Sequence, residues 1–192
     1  DSIINQAEAY ASELVDVMSD DGLVTRRPRG WTTARHYDAP TTDIPVHAIA
    51  GVLEIFNKCA LTTLGPMLRA LVGNKLSGQD MYMYINDAFI VKYEVAPDGD
   101  TAPSQRFLPI HADQSHFSFT IALNSIEEYD DGGTYFVDLN RSIQVEKGHC
   151  LMFPGSLRHG GDPITRGVRY ILAVFVFVSS SDDQFKGSSL SG

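Results

Sequence analysis

Residues 111–124 read His-Ala-Asp-Gln-Ser-His-Phe-Ser-Phe-Thr-Ile-Ala-Leu-Asn. From Phe117 onward the stretch alternates, with Phe117, Phe119, Ile121 and Leu123 interleaved with Ser118, Thr120, Ala122 and Asn124. Successive side chains of a strand point to opposite faces, so this is a β-strand with one apolar face. The rest of the second half has the same character. Ala88 to Val95 (AFIVKYEV) is rich in strand formers, and Thr134 to Val137, Ser142 to Glu146 and Cys150 to Phe153 are short strands between turn signals. Arg169 to Val178 is almost continuous Val, Ile, Leu and Phe, the composition of a central buried strand.

The first half has a different period. Ile3 to Met18 carries apolar residues near 3.6 spacing (Ile4, Ala7, Ala11, Leu14, Val15, Met18), which predicts one helix stopped by Asp20, Asp21 and Gly22. Thr25 to Pro45 has three prolines, the cluster Arg26, Arg27 and Arg29, and the single Trp31; it reads as an extended loop. Asp43 and Pro45 are expected to open a helix, with Asp43 as its cap. Val46 to Val72 predicts one or two helices broken at Gly65–Pro66. Closely spaced strands after a helical half predict an α+β, mainly β fold, a sandwich or barrel braced by helices.

Composition sets outer limits. At 192 residues and 43% hydrophobic, the chain supports one domain with a real core. Its formal net charge of −9 argues against nucleic acid as the main partner and suits a neutral or basic substrate. The longest apolar run, Tyr170 to Val178, is too short to span a bilayer. Beginning at Asp1, the chain reads as an excised or processed domain, so the compartment is left open. Residues 179–192 read as a flexible Ser/Gly tail. Cys59 and Cys150 are expected to be buried small hydrophobes, with nothing favouring a bridge.

Within this frame one constellation carries chemistry. His111 and Asp113, two residues apart in an extended chain, point the same way and can hold one metal ion together. His159, in PGSLRHGG, is the candidate third ligand. Two His and one carboxylate on one face leave three open positions, the facial triad of non-haem Fe(II) oxygenases. Arg169 enters an otherwise apolar strand ten residues after His159 and needs an anionic partner, which a ligand carboxylate would supply. His36, His47, His116 and His149 are expected to be non-ligands, and Asp130–Asp131 a solvated turn.

FIVKY, HADQSHFSFTIALN, DDGGTYF and KGHCLMFPGSLRHGGDPITRGVRYILAVF together resemble the 2-oxoglutarate-dependent dioxygenases of the prolyl and lysyl hydroxylase type. The resemblance is strongest to the lysyl hydroxylase catalytic domain and extends upstream to Pro40–Ile44, covering about residues 40–178. It implies a double-stranded β-helix (jelly roll), with helical support over about 1–75 and the jelly-roll core over about 79–178, in one dioxygenase domain of residues 1–178. It implies Fe(II) on His111, Asp113 and His159, 2-oxoglutarate anchored by Arg169 with Tyr93 beside it, and a role for ascorbate. The implied substrate is a peptidyl lysine or proline, the implied compartment the endoplasmic reticulum; free amino acids, small metabolites and the cytoplasm stay open.

Arg169 stands where collagen prolyl 4-hydroxylases carry Lys, which tilts the resemblance toward the lysyl type. Asp113 argues against a halogenase, where a small residue frees a halide site. Two other classes are a non-catalytic jelly-roll binding module and a cupin-type metal hydrolase or isomerase. The complete set of four residues argues against the first, and Arg169 against the second. The loop Ala96 to Arg106, with Asp98 and Asp100, and the Trp31 region are expected to border the mouth of the site.

Overall fold

The computed structural model describes residues 2–32, 35–36, 40–72, 81–96 and 104–180, and the side chains of all of these except Met81 and Ser180. Asp98, Asp100 and the tail from residue 181 lie outside the described residues.

Two antiparallel sheets face each other. The larger holds β10 (Cys150–Pro154), β6 (Phe117–Ala122), β12 (Ile164–Ser180), β4 (Met81–Glu94) and β3 (Asp43–Pro45) in that order, with β7 (Tyr129–Asp131) paired to the start of β12. The smaller has the order β5 (Leu108–His111), β11 (His159–Gly161), β8 (Thr134–Phe136) and β9 (Arg141–Ile143). Helices α1 (Ser2–Ser12), α2 (Ala50–Cys59) and α3 (Gly65–Val72) pack on the outer face of the larger sheet. This is a double-stranded β-helix braced by helices, the predicted fold class.

Strand alternation sorts the residues into two cores. Ala88 and Ile90 of β4, Phe119 and Ile121 of β6, and Leu172, Val174 and Val176 of β12 face the helices, where they meet Val52, Phe56, Leu64 and Leu68. The alternate residues Phe89, Val91, Tyr93, Ile171 and Ala173 face the other sheet. Central strands buried on both faces explain the unbroken apolar run of β12. On β6 the polar row is buried as well, because Ser118 and Thr120 face the space between the sheets and not solvent.

One bulge breaks this alternation. Phe175 pairs with Asp87 but Val176 pairs with Ile85, so Asn86 is an extra residue in β4. Bulges re-aim side chains beside functional sites. Here Asn86 and Asp87, consecutive in sequence, line the same cavity, and before the bulge the odd-numbered Met83 faces the helices.

Several local expectations are corrected. The N-terminal helix ends at Ser12, and Leu14–Met18 (β1) pairs with Val24–Pro28 (β2) in a hairpin. Only Ala7 and Ala11 of the helix are buried, so no continuous apolar stripe extends to Met18. β-branched Val15 and Val17 suit a strand, and Gly22 at φ +83° closes the turn. Asp43 caps no helix; it lies in β3 with its side chain fully buried, and α2 begins after Ile49. At Gly65–Pro66 the helix is not broken. A π-helical turn, Ala60–Leu64, joins α2 to α3 and widens the helix where Pro66 lacks an N–H and crowds the preceding turn. Cys59 and Cys150 are free and half-buried.

Candidate active site

His111 is the last residue of β5 and His159 the first of β11, and the two are direct cross-strand partners. The register of two short strands thus brings together imidazoles far apart in sequence. Asp113 follows β5, where its N–H donates to the carbonyl of Gly155. One imidazole nitrogen each of His111 and His159 and one carboxylate oxygen of Asp113 all lie within 4.8 Å of one another. This is the only such group of three among the described residues.

Both imidazoles are oriented the same way. His111 Nδ1 lies 2.8 Å from the carbonyl of Pro109 and His159 Nδ1 2.8 Å from that of Leu157. A carbonyl only accepts, so each Nδ1 carries a proton and each Nε2 faces Asp113, where it donates when protonated and offers a lone pair to a metal ion when neutral. His111 Nε2 is 3.2 Å from one Asp113 oxygen and His159 Nε2 3.5 Å from the other. Ligands at about 2.0–2.2 Å from one ion stand roughly 3–3.5 Å apart, so the spacing fits a shared divalent ion. Ser118 Oγ donates to Asp113 Oδ2 at 2.5 Å and Ser115 Oγ lies 2.9 Å from Ser118 Oγ, an outer layer that orients the carboxylate.

The three groups titrate apart. Burial would raise Asp113, but hydrogen bonds from His111 and Ser118 and the charge of His159 hold it below the usual carboxylate range. Burial drives His159 down toward the neutral, ligating form. Burial acts likewise on His111 and is the largest single influence, but the Asp113 hydrogen bond, the Pro109 carbonyl and the charge of Asp113 together outweigh it and the net shift is upward.

A cavity of about 590 Å³ opens from these residues, within the range of small-ligand sites. Arg169 and Tyr93 line it, with Thr134 and Gly161 close by and Ile171 and Ala173 as apolar wall. Arg169 is only 5% exposed, and its guanidinium lies 5.1 Å from the centre of the Tyr93 ring. It forms no ion pair with a carboxylate among the described residues. An unpaired buried cation is costly, so an anion bound in the cavity would stabilise Arg169. Burial raises the Tyr93 phenol, against the pull of Arg169, and keeps its O–H a donor. A Cβ at Gly161 would stand 2.8 Å from the Tyr93 hydroxyl, so glycine there makes room for it.

The other expected residues fall elsewhere. Trp31 is not at the mouth; it packs against Tyr170, with Lys92 near its ring, on the face of β4 and β12 opposite the cavity. His47 and His149 are exposed, and His116 takes the N–H of Val178 on its Nδ1. His36 lines the cavity but stands outside the group of three. Asp130 pairs with Arg166 on the surface. Sequence reading missed Ser118, because a polar residue alternating with apolar ones is taken for a solvent-facing one. It also missed Arg35 and Asp87, which line the cavity and pair at 2.6 Å across 52 residues of chain.

No family model matches the sequence. The chain is 37% identical over 182 residues to human procollagen-lysine,2-oxoglutarate 5-dioxygenase 1, covering 88% of this chain and 22% of that protein. It is 31% identical over 184 residues to mouse procollagen-lysine,2-oxoglutarate 5-dioxygenase 2, with the same coverage of 88% and 22%. It therefore spans about a fifth of the length of these relatives. Among solved structures, a 2OG-Fe(II) oxygenase family oxidoreductase from Burkholderia pseudomallei matches 90% of this chain and 78% of its own, with a TM-score of 0.55 at 14% identity. At that identity the match shows the fold alone.

Proposed function

The chain is homologous over 88% of its length to 2-oxoglutarate-dependent dioxygenases of the lysyl hydroxylase type, and from that premise we propose that it is an Fe(II)- and 2-oxoglutarate-dependent hydroxylase. It would insert oxygen into an unactivated C–H of a peptidyl lysine or proline and release succinate and CO2. The observation that carries this reading is the pairing of two features in one cavity. The His111–Asp113–His159 group fits a divalent ion, and buried Arg169 awaits an anion.

In this reading His111 Nε2, Asp113 and His159 Nε2 hold Fe(II), with Ser118 fixing the carboxylate. When bound, the metal supplies dioxygen activation and the oxidative decarboxylation of 2-oxoglutarate. Ascorbate would serve as an external reductant. Arg169 holds the far carboxylate of 2-oxoglutarate through a charge-assisted fork. The Tyr93 O–H donates to the same end, and its ring backs the guanidinium. Val91, Ile171 and Ala173 keep water from the space between. No helix among the described residues is long and apolar enough to cross a membrane.

The test is turnover of a lysine- and proline-containing peptide library with Fe(II), 2-oxoglutarate and ascorbate, read by mass spectrometry. A gain of one oxygen on a peptide, matched by succinate and abolished by Asp113→Ala, is the expected result. Absence of succinate above the protein-free control with every peptide would overturn the reading.

A further inference from the structure

The cavity has a second charged end that the co-substrate does not use. Along β12 the cavity-facing row runs Arg169, Ile171, Ala173, Phe175, opposite Tyr93, Val91, Phe89 and Asp87 on β4. Six residues of strand separate Arg169 from Phe175, roughly 20 Å. Phe175 pairs with Asp87 on one side and with Ser118 on the other. Ser118 holds the Asp113 carboxylate, so Asp87 stands level with the metal ligands, two strands away, or about 10 Å backbone to backbone.

Charge at this end is unbalanced among the described residues. Arg35 bridges Asp43 (Nη1 to Oδ1, 2.9 Å) and Asp87 (Nη2 to Oδ2, 2.6 Å). One guanidinium between two carboxylates leaves one negative charge in surplus. Asp43 is fully buried, takes the Thr41 hydroxyl as well, and has His36 Nε2 at 3.2 Å. Among the described residues Asp87 has only Arg35 and the N–H of Ala88, and its side chain is 21% exposed where it lines the cavity. The surplus charge is therefore offered to the cavity by Asp87. Phe89 and Phe175, 5.3 Å apart and edge to face, line the same end. An acid beside aromatic rings suits a cation on an aliphatic stem.

We propose that Asp87, backed by Arg35 and walled by Phe89 and Phe175, is the subsite that recognises the side-chain ammonium of the substrate, and so selects lysyl over prolyl peptides. This rests on the hydroxylase reading for its meaning, but the binding it describes does not require turnover. With the ammonium on Asp87, the carbons that reach the metal ligands are the methylenes next to it. Asp87 faces the cavity in plain alternation with Phe89, Val91 and Tyr93, and the bulge brings Asn86 into the same lining. Buried Arg169, facing the same cavity without an ion-pair partner among the described residues, marks the far end as an anion site and this one as its opposite.

The experiment measures equilibrium binding of three peptides that differ only at the central residue, lysine, norleucine or glutamate, to the protein loaded with Mn(II) and 2-oxoglutarate without oxygen. The expected preference for lysine over norleucine is about tenfold or more, from a charge-assisted contact. In Asp87→Asn the ratio should fall toward one, and Asp87→Glu should keep it. A ratio within one protein cancels losses of folded material. A wild-type ratio near one, a preference for glutamate, or a lysine preference that survives Asp87→Asn would each overturn the proposal. Succinate release in air tests the hydroxylase reading separately, so a lysine preference lost in Asp87→Asn without any turnover would keep the subsite and reject the chemistry.

Discussion

Arg169 and Tyr93 are direct cross-strand partners on β12 and β4, with the guanidinium 5.1 Å from the phenol ring centre. The pair is buried, and the ring shields one face of a cation that has no carboxylate partner among the described residues. Arg169→Lys keeps the charge but loses the planar fork. It should raise the KM for 2-oxoglutarate by about 10–100-fold, the equivalent of one charge-assisted hydrogen bond of about 1.5–3 kcal/mol. Metal affinity should stay within about twofold. Steady-state kinetics and a metal titration check both, and a KM unchanged by Arg169→Lys would remove Arg169 from the co-substrate site.

In the proposed metal site Ser118 would act through Asp113. Ser118→Ala removes the hydrogen bond to Oδ2 and leaves the carboxylate free to turn. Loss of such an orienting partner costs about 10–100-fold in metal affinity. Calorimetric titration with Co(II) should show that loss in Ser118→Ala and no binding in Asp113→Ala.

Two adjacent glycines separate the two halves of the site. A Cβ at Gly160 would stand 2.7 Å from the Leu108 carbonyl, pressing on β5, which carries His111. A Cβ at Gly161 would instead meet the Tyr93 hydroxyl and ring at 2.8–3.1 Å. Gly160→Ala should therefore weaken metal binding. Gly161→Ala should mainly raise the KM for 2-oxoglutarate. Equal effects of both variants on both readouts would show that the two halves are not mechanically distinct.

In the metal-free protein the two histidines should titrate on opposite sides of the ordinary value of 6.5, His111 above it and His159 below. NMR of the imidazole carbons reads this directly. The linkage signs differ. The stability contributed by His111 is present below 6.5 and lost as pH rises through its folded value, while His159 costs stability as pH falls below 6.5. The two slopes have opposite signs near pH 6.5, so each reduces the other's contribution to the pH dependence of metal-free stability. A divalent ion, which needs both imidazoles neutral, should add stability that grows with pH. A metal-induced rise in Tm that shrinks from pH 6 to pH 8 would contradict this.

Residue chemistry and short-range period were enough to find the strand-rich half, the His111–Asp113 pair, His159 as its partner, and Arg169 as a cation out of place in an apolar strand. These are local facts: a metal site needs particular side chains, and alternation needs only neighbours. The same local rules failed where two readings compete. Residues 14–18 fit a helical stripe on paper, yet they fold as a strand because Val24–Pro28 is there to pair with it. Asp43 looked like a cap because no nearby residue announces Arg35 as its partner.

Pairing across the sheets decided the rest. The register of β5 with β11 sets His111 against His159, and that of β6 with β12 and β4 puts Ser118, Phe175 and Asp87 in one row. Asp87 faces inward in alternation with Phe89, Val91 and Tyr93, while one extra residue adds Asn86 to the same lining, and nothing in the local pattern of β4 marks that bulge. Burial then gives these residues their force. A carboxylate or guanidinium shielded from water interacts far more strongly than the same group on a surface, and which side chains are shielded is a property of the packed layers and not of the chain read in order.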